Sequence, residues 1–214
     1  NVETIRARDL AENRNRSQFI VFKHDVETCP VKALKLAQIE SRYGIRGSYY
    51  IQAYLLKSAV NVNILQEIKD LGHEVSYHYD VLDANDGDFE KAQEEFEANL
   101  KMFKSNGFEI ETVCQHGNPV RNRVGYTSNR DFFRNKSIAQ YFCPIVDVMV
   151  NFKVKTEARY LYISDAGYAW NVISDPENND RVMGVPDVPL KQGLNSVLEL
   201  LDKGFSIILS THPH

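Results

Sequence analysis

The sequence predicts an α/β protein, a small, distorted or incomplete (β/α) barrel of six or seven parallel strands, in a single domain over residues 1–214. Two observations predict it. Short apolar, β-branched or aromatic runs alternate with segments of helical period, the pattern of β/α units around a parallel sheet. The predicted strands also end on polar, chemically capable side chains, as expected where a parallel sheet gathers its site at the strands' carboxyl ends. Composition agrees: 43% apolar and 25% charged residues, with 11 glycines and 7 prolines, describe an ordinary folded domain.

The elements follow in chain order. FIVFKHD (19–25) reads as a strand, and Thr28, Cys29 and Pro30 supply a cap and a first-turn proline for a helix running to Tyr43, before Gly44. GSYYIQ (47–52) is the next strand, and Ile64, Leu65, Ile68 and Leu71 line one face of a helix that stops at Gly72. EVSYHY (74–79) precedes an amphipathic helix carrying Phe89, Ala92, Phe96, Leu100 and Phe103, with acids early and lysines late. IETVCQHG (110–117), PIVDVMV (144–150), RYLYISD (159–165) and FSIILSTH (205–212) read as the remaining strands, with Leu190, Leu194, Val197, Leu198 and Leu201 marking the helix before the last.

Charge excludes several function classes. With 25 basic and 29 acidic side chains the net charge is −4, which disfavours an electrostatic grip on nucleic acid or an anionic membrane. No apolar run reaches the roughly 18 residues of a membrane span. Cys29, Cys114 and Cys143 form no CxxC pair and are odd in number, so they read as reduced core thiols in a cytoplasmic setting; the chain opens on Asn1, which leaves a processed secreted form open.

Four of the six histidines close predicted strands: His24, His78, His116 and His212, joined by Asp25 and Asp165. A lone strand-end histidine is usually a hydrogen-bonded loop residue. Imidazoles and carboxylates aimed into one mouth instead need a cation between them, and His with Asp suits Zn²⁺ and its first-row neighbours better than magnesium or calcium.

These stretches resemble the NodB-like polysaccharide deacetylases, carbohydrate esterase family 4, in a divergent form with His-Asp where the family usually has Asp-Asp. FKHDVE (22–27) is similar to the first family motif, which sets His24 at the catalytic-base position and Asp25 at the metal-binding aspartate. GHEVSYHYDVLD (72–83) is similar to the second, matching His78 to its first metal histidine. VCQHGNP (113–119), SDAGYAW (164–170) and LSTHPH (209–214) stand where the third, fourth and fifth motifs are expected.

Departures accompany the likeness: Leu82 replaces the second metal histidine, and Gln115 or His116 the usual arginine. His116 could complete the metal set, or Asp80 or Asp83 could, or metal binding could be weak or lost; Asp25, His78 and His116 are preferred because all three should project from strand ends. The resemblance implies a divalent transition metal, Zn²⁺ first with Co²⁺ or Ni²⁺ as alternatives, and hydrolysis of an acyl group, N-acetyl foremost, from a sugar or polysaccharide. His24 is then the expected base, beside a cation that would keep it neutral, and His212 the expected acid, with Asp165 as an orienting group.

Substrate residues are sought on the loops. Arg121 and Arg123 could meet an anionic saccharide, and Tyr126, Tyr168 and Trp170 could stack on sugar rings. His73 and Glu74 open a strand and belong to the opposite, stabilising end. Two competing functions remain: a glycan-binding relative that has lost turnover, and a metal-free glycoside hydrolase using carboxylates such as Asp25 and Asp165.

Overall fold

A computed structural model describes residues 2–12, 17–118, 120–151, 159–166, 169–180 and 188–213. The chain opens with β1 (Glu3–Ile5) and α1 (Ala7–Glu12), then runs β2 (Phe19–Val26), α2 (Pro30–Arg42), β3 (Ser48–Ile51), a 3₁₀ turn (Ala53–Lys57), α3 (Ala59–Asp70) and β4 (Glu74–Tyr79). The short α4 (Val81–Ala84), α5 (Phe89–Ser105) and β5 (Thr112–Gln115) follow. After these come α6 (Asp131–Arg134), α7 (Lys136–Tyr141), β6 (Val146–Asp147), β7 (Arg159–Ser164), β8 (Asn171–Val172), β9 (Val188–Pro189), α8 (Asn195–Asp202) and β10 (Phe205–Thr211).

One sheet unites the strands in the order β6-β5-β4-β3-β2-β10-β7-β8-β9, with β1 beside the start of β2. All pairings from β6 to β7 are parallel, and β8 and β9 add an antiparallel margin that the sequence reading did not contain. Among the described residues the path is open, without pairing between its end strands. The last strand lies between β2 and β7, so residues near both termini share the centre of the sheet.

Local chemistry explains the helices. Pro30 opens α2, although Cys29 makes no side-chain cap, and the Asp88 carboxylate caps α5 by accepting from Glu90 and Lys91 N–H. Gly44 and Gly72 follow their helices at φ of 71° and 93°, where a Cβ would be strained. The run 144–150, expected as a full strand, pairs over just Val146–Asp147. Buried Asp147 then ends it in a turn by accepting from the Met149 N–H and donating its own to Asn151 Oδ1.

Strand parity sorts the side chains into two layers. One face packs through Tyr49, Ile51, Val75, Tyr77 and Tyr79 on α2, α3 and α5, the last contributing Phe96. The other gathers Val21, Tyr50, Cys114, Tyr162 and Ile208 in a second apolar cluster. Cys114 is the buried cysteine; Cys29 is half-buried and Cys143 exposed, so the expectation of three core thiols holds for one of them. No helix of the described residues is long and apolar enough to cross a membrane.

Candidate active site

The carboxyl ends of β2, β4, β5, β7 and β10 open onto a cavity of about 510 Å³. Parity on β2 aims Lys23 and Asp25 into it, and Glu27, one step past the strand, continues the same row. His78, Cys114 and His212 complete the central lining.

Two histidines meet a carboxylate here. Glu27 Oε1 lies 3.3 Å from His116 Nε2 and 3.9 Å from His78 Nε2, and the two rings stand edge to face with centroids 5.3 Å apart. His78 is buried, and its Nδ1 is 3.1 Å from the Cys114 carbonyl, which can only accept; Nδ1 therefore carries the proton and Nε2 presents a lone pair to the cavity. The His116 imidazole, hydrogen-bonded to Glu27 with His78 beside it, holds the Glu27 carboxyl far below the usual carboxylate range against its burial. Burial alone would lower the His116 pKa, but Glu27 outweighs it and raises it. One carboxylate and two imidazoles within 4.8 Å of one another form a donor set suited to a first-row divalent ion. Glu27 was not foreseen as a member; the parity it shares with Asp25 is the sequence signal that could have found it.

Asp25 is differently engaged. Lys23 Nζ donates to its two oxygens at 2.6 and 2.5 Å and to Ser210 Oγ at 3.2 Å, with both partners of the pair buried. Burial would neutralise Lys23, yet the Asp25 charge prevails, raising the ammonium's pKa while the carboxyl's is lowered. Asp25 still lies within 4.8 Å of ligand atoms of His78 and Cys114, as the sequence reading required of Asp25 and His78.

Across Asp25 stands an Asp165–His212 pair. Asp165 accepts from the His212 backbone N–H at 3.1 Å and lies 2.6 Å from its Nδ1, leaving Nε2 toward the cavity, 3.6 Å from Asp25 Oδ2. Burial disfavours the imidazolium, while Asp165 and Asp25 together raise the His212 pKa; Asp165, against its own burial, is lowered.

His24, expected as the base, does not line this cavity. The same parity that turns Asp25 inward turns His24 to the helix side, where Nε2 is 2.8 Å from Glu40 Oε1 and Nδ1 2.6 Å from Thr211 Oγ1. The Tyr49 hydroxyl donates to Glu40 Oε2 at 2.7 Å. Neighbouring His73 accepts the Gly47 N–H on Nδ1 and donates from Nε2 to the Ala37 carbonyl; burial lowers its pKa, so it is a neutral structural histidine. At Gly47 a Cβ would stand 3.0 Å from Glu40 Oε2 and 3.2 Å from His24 Nε2, which is why this cluster needs glycine there. Glu40→Ala should destabilise the fold by about 2 kcal/mol, because it strands buried His24 and Tyr49, while kcat changes less than about threefold. Denaturant unfolding and steady-state rates check this, and a large fall in kcat with intact stability would restore His24 to the chemistry.

The proposed substrate residues divide. Asp83 accepts from Arg123 Nε and Nη2, each at 2.8 Å, from the Tyr126 hydroxyl at 2.9 Å and from Asn129 Nδ2 at 3.0 Å. Its oxygens are thereby occupied, and neither Asp83 nor Asp80 belongs to a metal-competent group among the described residues. Arg121 pairs with Asp86 at 2.5 Å. Of these loop residues Arg123 lines the cavity, whereas Trp170 packs against the apolar cluster of Ile163, Val197 and Leu209. Tyr168 lies outside the described residues.

An unforeseen ionic cluster buttresses the same wall. Asp180 accepts from Arg134 Nη2 and Nη1 at 2.8 and 2.9 Å, from Arg130 at 3.2 Å and from Ser128. Burial would raise its pKa, but Arg134, Ser128 and Arg130 hold it down to about 2. A depressed carboxyl contributes stability above its unfolded pKa of about 3.9 that is lost as pH falls toward 2. Asp180→Asn should therefore lower the unfolding free energy by about 2 kcal/mol at pH 7 and flatten its decline between pH 4 and pH 2. Unfolding curves at both pH values test this; equal acid sensitivity in the two proteins would refute it.

No protein-family model matches the sequence, and no curated protein matches it either. Solved structures do. A CE4 esterase from Streptococcus mutans superposes with a TM-score of 0.54 at 12% identity, covering 97% of this chain and 92% of that one. A CE4 family pseudoenzyme from Bacillus anthracis gives 0.51 at 11% identity over 94% of this chain and 71% of its own, and a mutant of it with restored activity gives 0.51 at 11% identity over 92% and 67%.

Proposed function

On the premise of a CE4 esterase fold, we propose that the protein is a metal-dependent hydrolase that removes an acyl group, N-acetyl foremost, from a sugar unit. The observation that carries this reading is that Glu27 and His78, which with His116 form an ion-competent group, line the same cavity as Asp25 and an Asp165-backed His212. Zn²⁺, Co²⁺ or Ni²⁺ suits the donors, and a bound ion would supply Lewis acidity toward water and the acyl oxygen.

The chain's own residues do the rest. His212 takes a proton from water on Nε2 and returns it to the amine nitrogen as the C–N bond breaks, yielding a carboxylic acid and a free amine. Asp165 fixes the proton on Nδ1 and keeps Nε2 aimed inward. His212 thus covers both proton transfers, including the one first assigned to His24. Gln115 Oε1 is buried without a partner among the described residues and lines the cavity, so it can accept from a sugar hydroxyl or amide. Asp83 and Asp86 neutralise Arg121 and Arg123, which favours an uncharged sugar over an anionic one.

Loaded with Zn²⁺, Co²⁺ or Ni²⁺ and offered N-acetylated oligosaccharides, the protein should release acetate and lose that activity in EDTA. Saturable binding without acetate would identify a glycan-binding relative; sugar-bond cleavage that persists in EDTA would identify a glycosidase.

A further inference from the structure

Two potential three-donor groups share His78: Asp25–His78–Cys114, wholly buried, and Glu27–His78–His116, nearer the mouth. With Nδ1 tied to the Cys114 carbonyl, His78 has one nitrogen left and can serve one ion. The deep group already holds a cation. Lys23 Nζ contacts both Asp25 oxygens and Ser210 Oγ, and lies 5.5 Å from the centre of the Tyr50 ring.

Resting on the metal reading above, we propose that Lys23 is a built-in cation that closes the deep Asp25–His78–Cys114 group to a divalent ion and so confines the ion to Glu27, His78 and His116. An ion on Asp25 would face the ammonium across a single carboxylate, in a setting too dry to screen the repulsion. Moving Lys23 aside would leave its charge buried among Tyr50, Cys114 and Tyr162 without a counter-ion. Lys23 is accordingly a positioning residue. It leaves Asp25 as a fixed anion facing His212 and places the ion beside solvent-accessible Glu27 and His116, whose side chains are 26% and 21% exposed.

Cobalt(II) spectroscopy separates the two sites, because ligation by Cys114 gives an intense near-ultraviolet thiolate-to-cobalt charge-transfer band. Wild-type protein should bind one Co²⁺ without that band, and Cys114→Ser should leave spectrum and affinity unchanged. Lys23→Met should gain the band, and Lys23→Met with Cys114→Ser should lose it again. Should Lys23→Met fail to fold by circular dichroism, Lys23→Gln replaces it. The cobalt anomalous peak in wild-type crystals, which needs no variant, must lie at Glu27 and His116; a peak at Cys114 overturns the inference. A thiolate band in the wild type, or identical spectra for wild type and a folded Lys23 variant, also overturns it. Absence of bound cobalt in the wild type is a distinct result, since it removes the metal reading itself.

Discussion

His78→Ala should reduce acetate release at saturating Zn²⁺ by about 10³-fold, the equivalent of roughly 4 kcal/mol of transition-state stabilisation. The size follows from position: His78 belongs to both ion-competent groups found among the described residues, so without it each keeps only two of its three donors. Metal retained after dialysis should fall in parallel. The fold should lose only about 1 kcal/mol, because the imidazole's one protein hydrogen bond is to the Cys114 carbonyl at 3.1 Å. Glu27→Gln should weaken metal retention as well, which distinguishes this site from one built on Asp25. A His78→Ala protein that keeps activity within about tenfold of wild type would show that the ion, if bound, lies elsewhere.

His212→Ala should cost about 10²- to 10⁴-fold in kcat with metal content unchanged, since the side chain carries protons and is in neither ion-competent group. Asp165→Asn gives the more diagnostic result. In the free enzyme the base form of His212 is neutral, so kcat/KM should rise with pH through its pKa. Burial opposes that pKa while Asp165 and Asp25 raise it above the ordinary imidazole value. Taking away the Asp165 charge leaves burial less opposed; the rising limb should move to lower pH and the plateau should drop. A limb that stays in place, measured from pH 5 to pH 9, would mean that another group carries the proton.

Which residues enter the site was half legible. His78, His116 and His212 were read from their places at strand ends, and each is found at the carboxyl side of the sheet. His24 and Asp25 were read as neighbours in one site, yet a regular strand turns adjacent side chains to opposite faces, so choosing Asp25 already implied Lys23 and Glu27 in place of His24. Lys23 escaped notice because a lysine in a strand ordinarily reads as solvent-facing; its burial depends on Asp25 and on Ser210 from the other end of the chain. Arg121, Arg123 and Tyr126 looked like free recognition groups because Asp83 and Asp86, which hold them, lie about 40 residues earlier.

The sequence by itself determined the succession of β/α units, the extents of α2 and α5 and the end of α3 to within a residue or two, and the supply of imidazoles and carboxylates at strand ends. Those features rest on periodicity, caps and turn residues, all local properties of the chain. Only the tertiary structure decided that β10 inserts between β2 and β7, that Lys23 pairs with Asp25, and that Glu27 meets His78 and His116. The physical reason is that strand order and ion pairing join residues far apart in the chain, at a free energy set by burial and charge in the folded state, which no window of sequence contains.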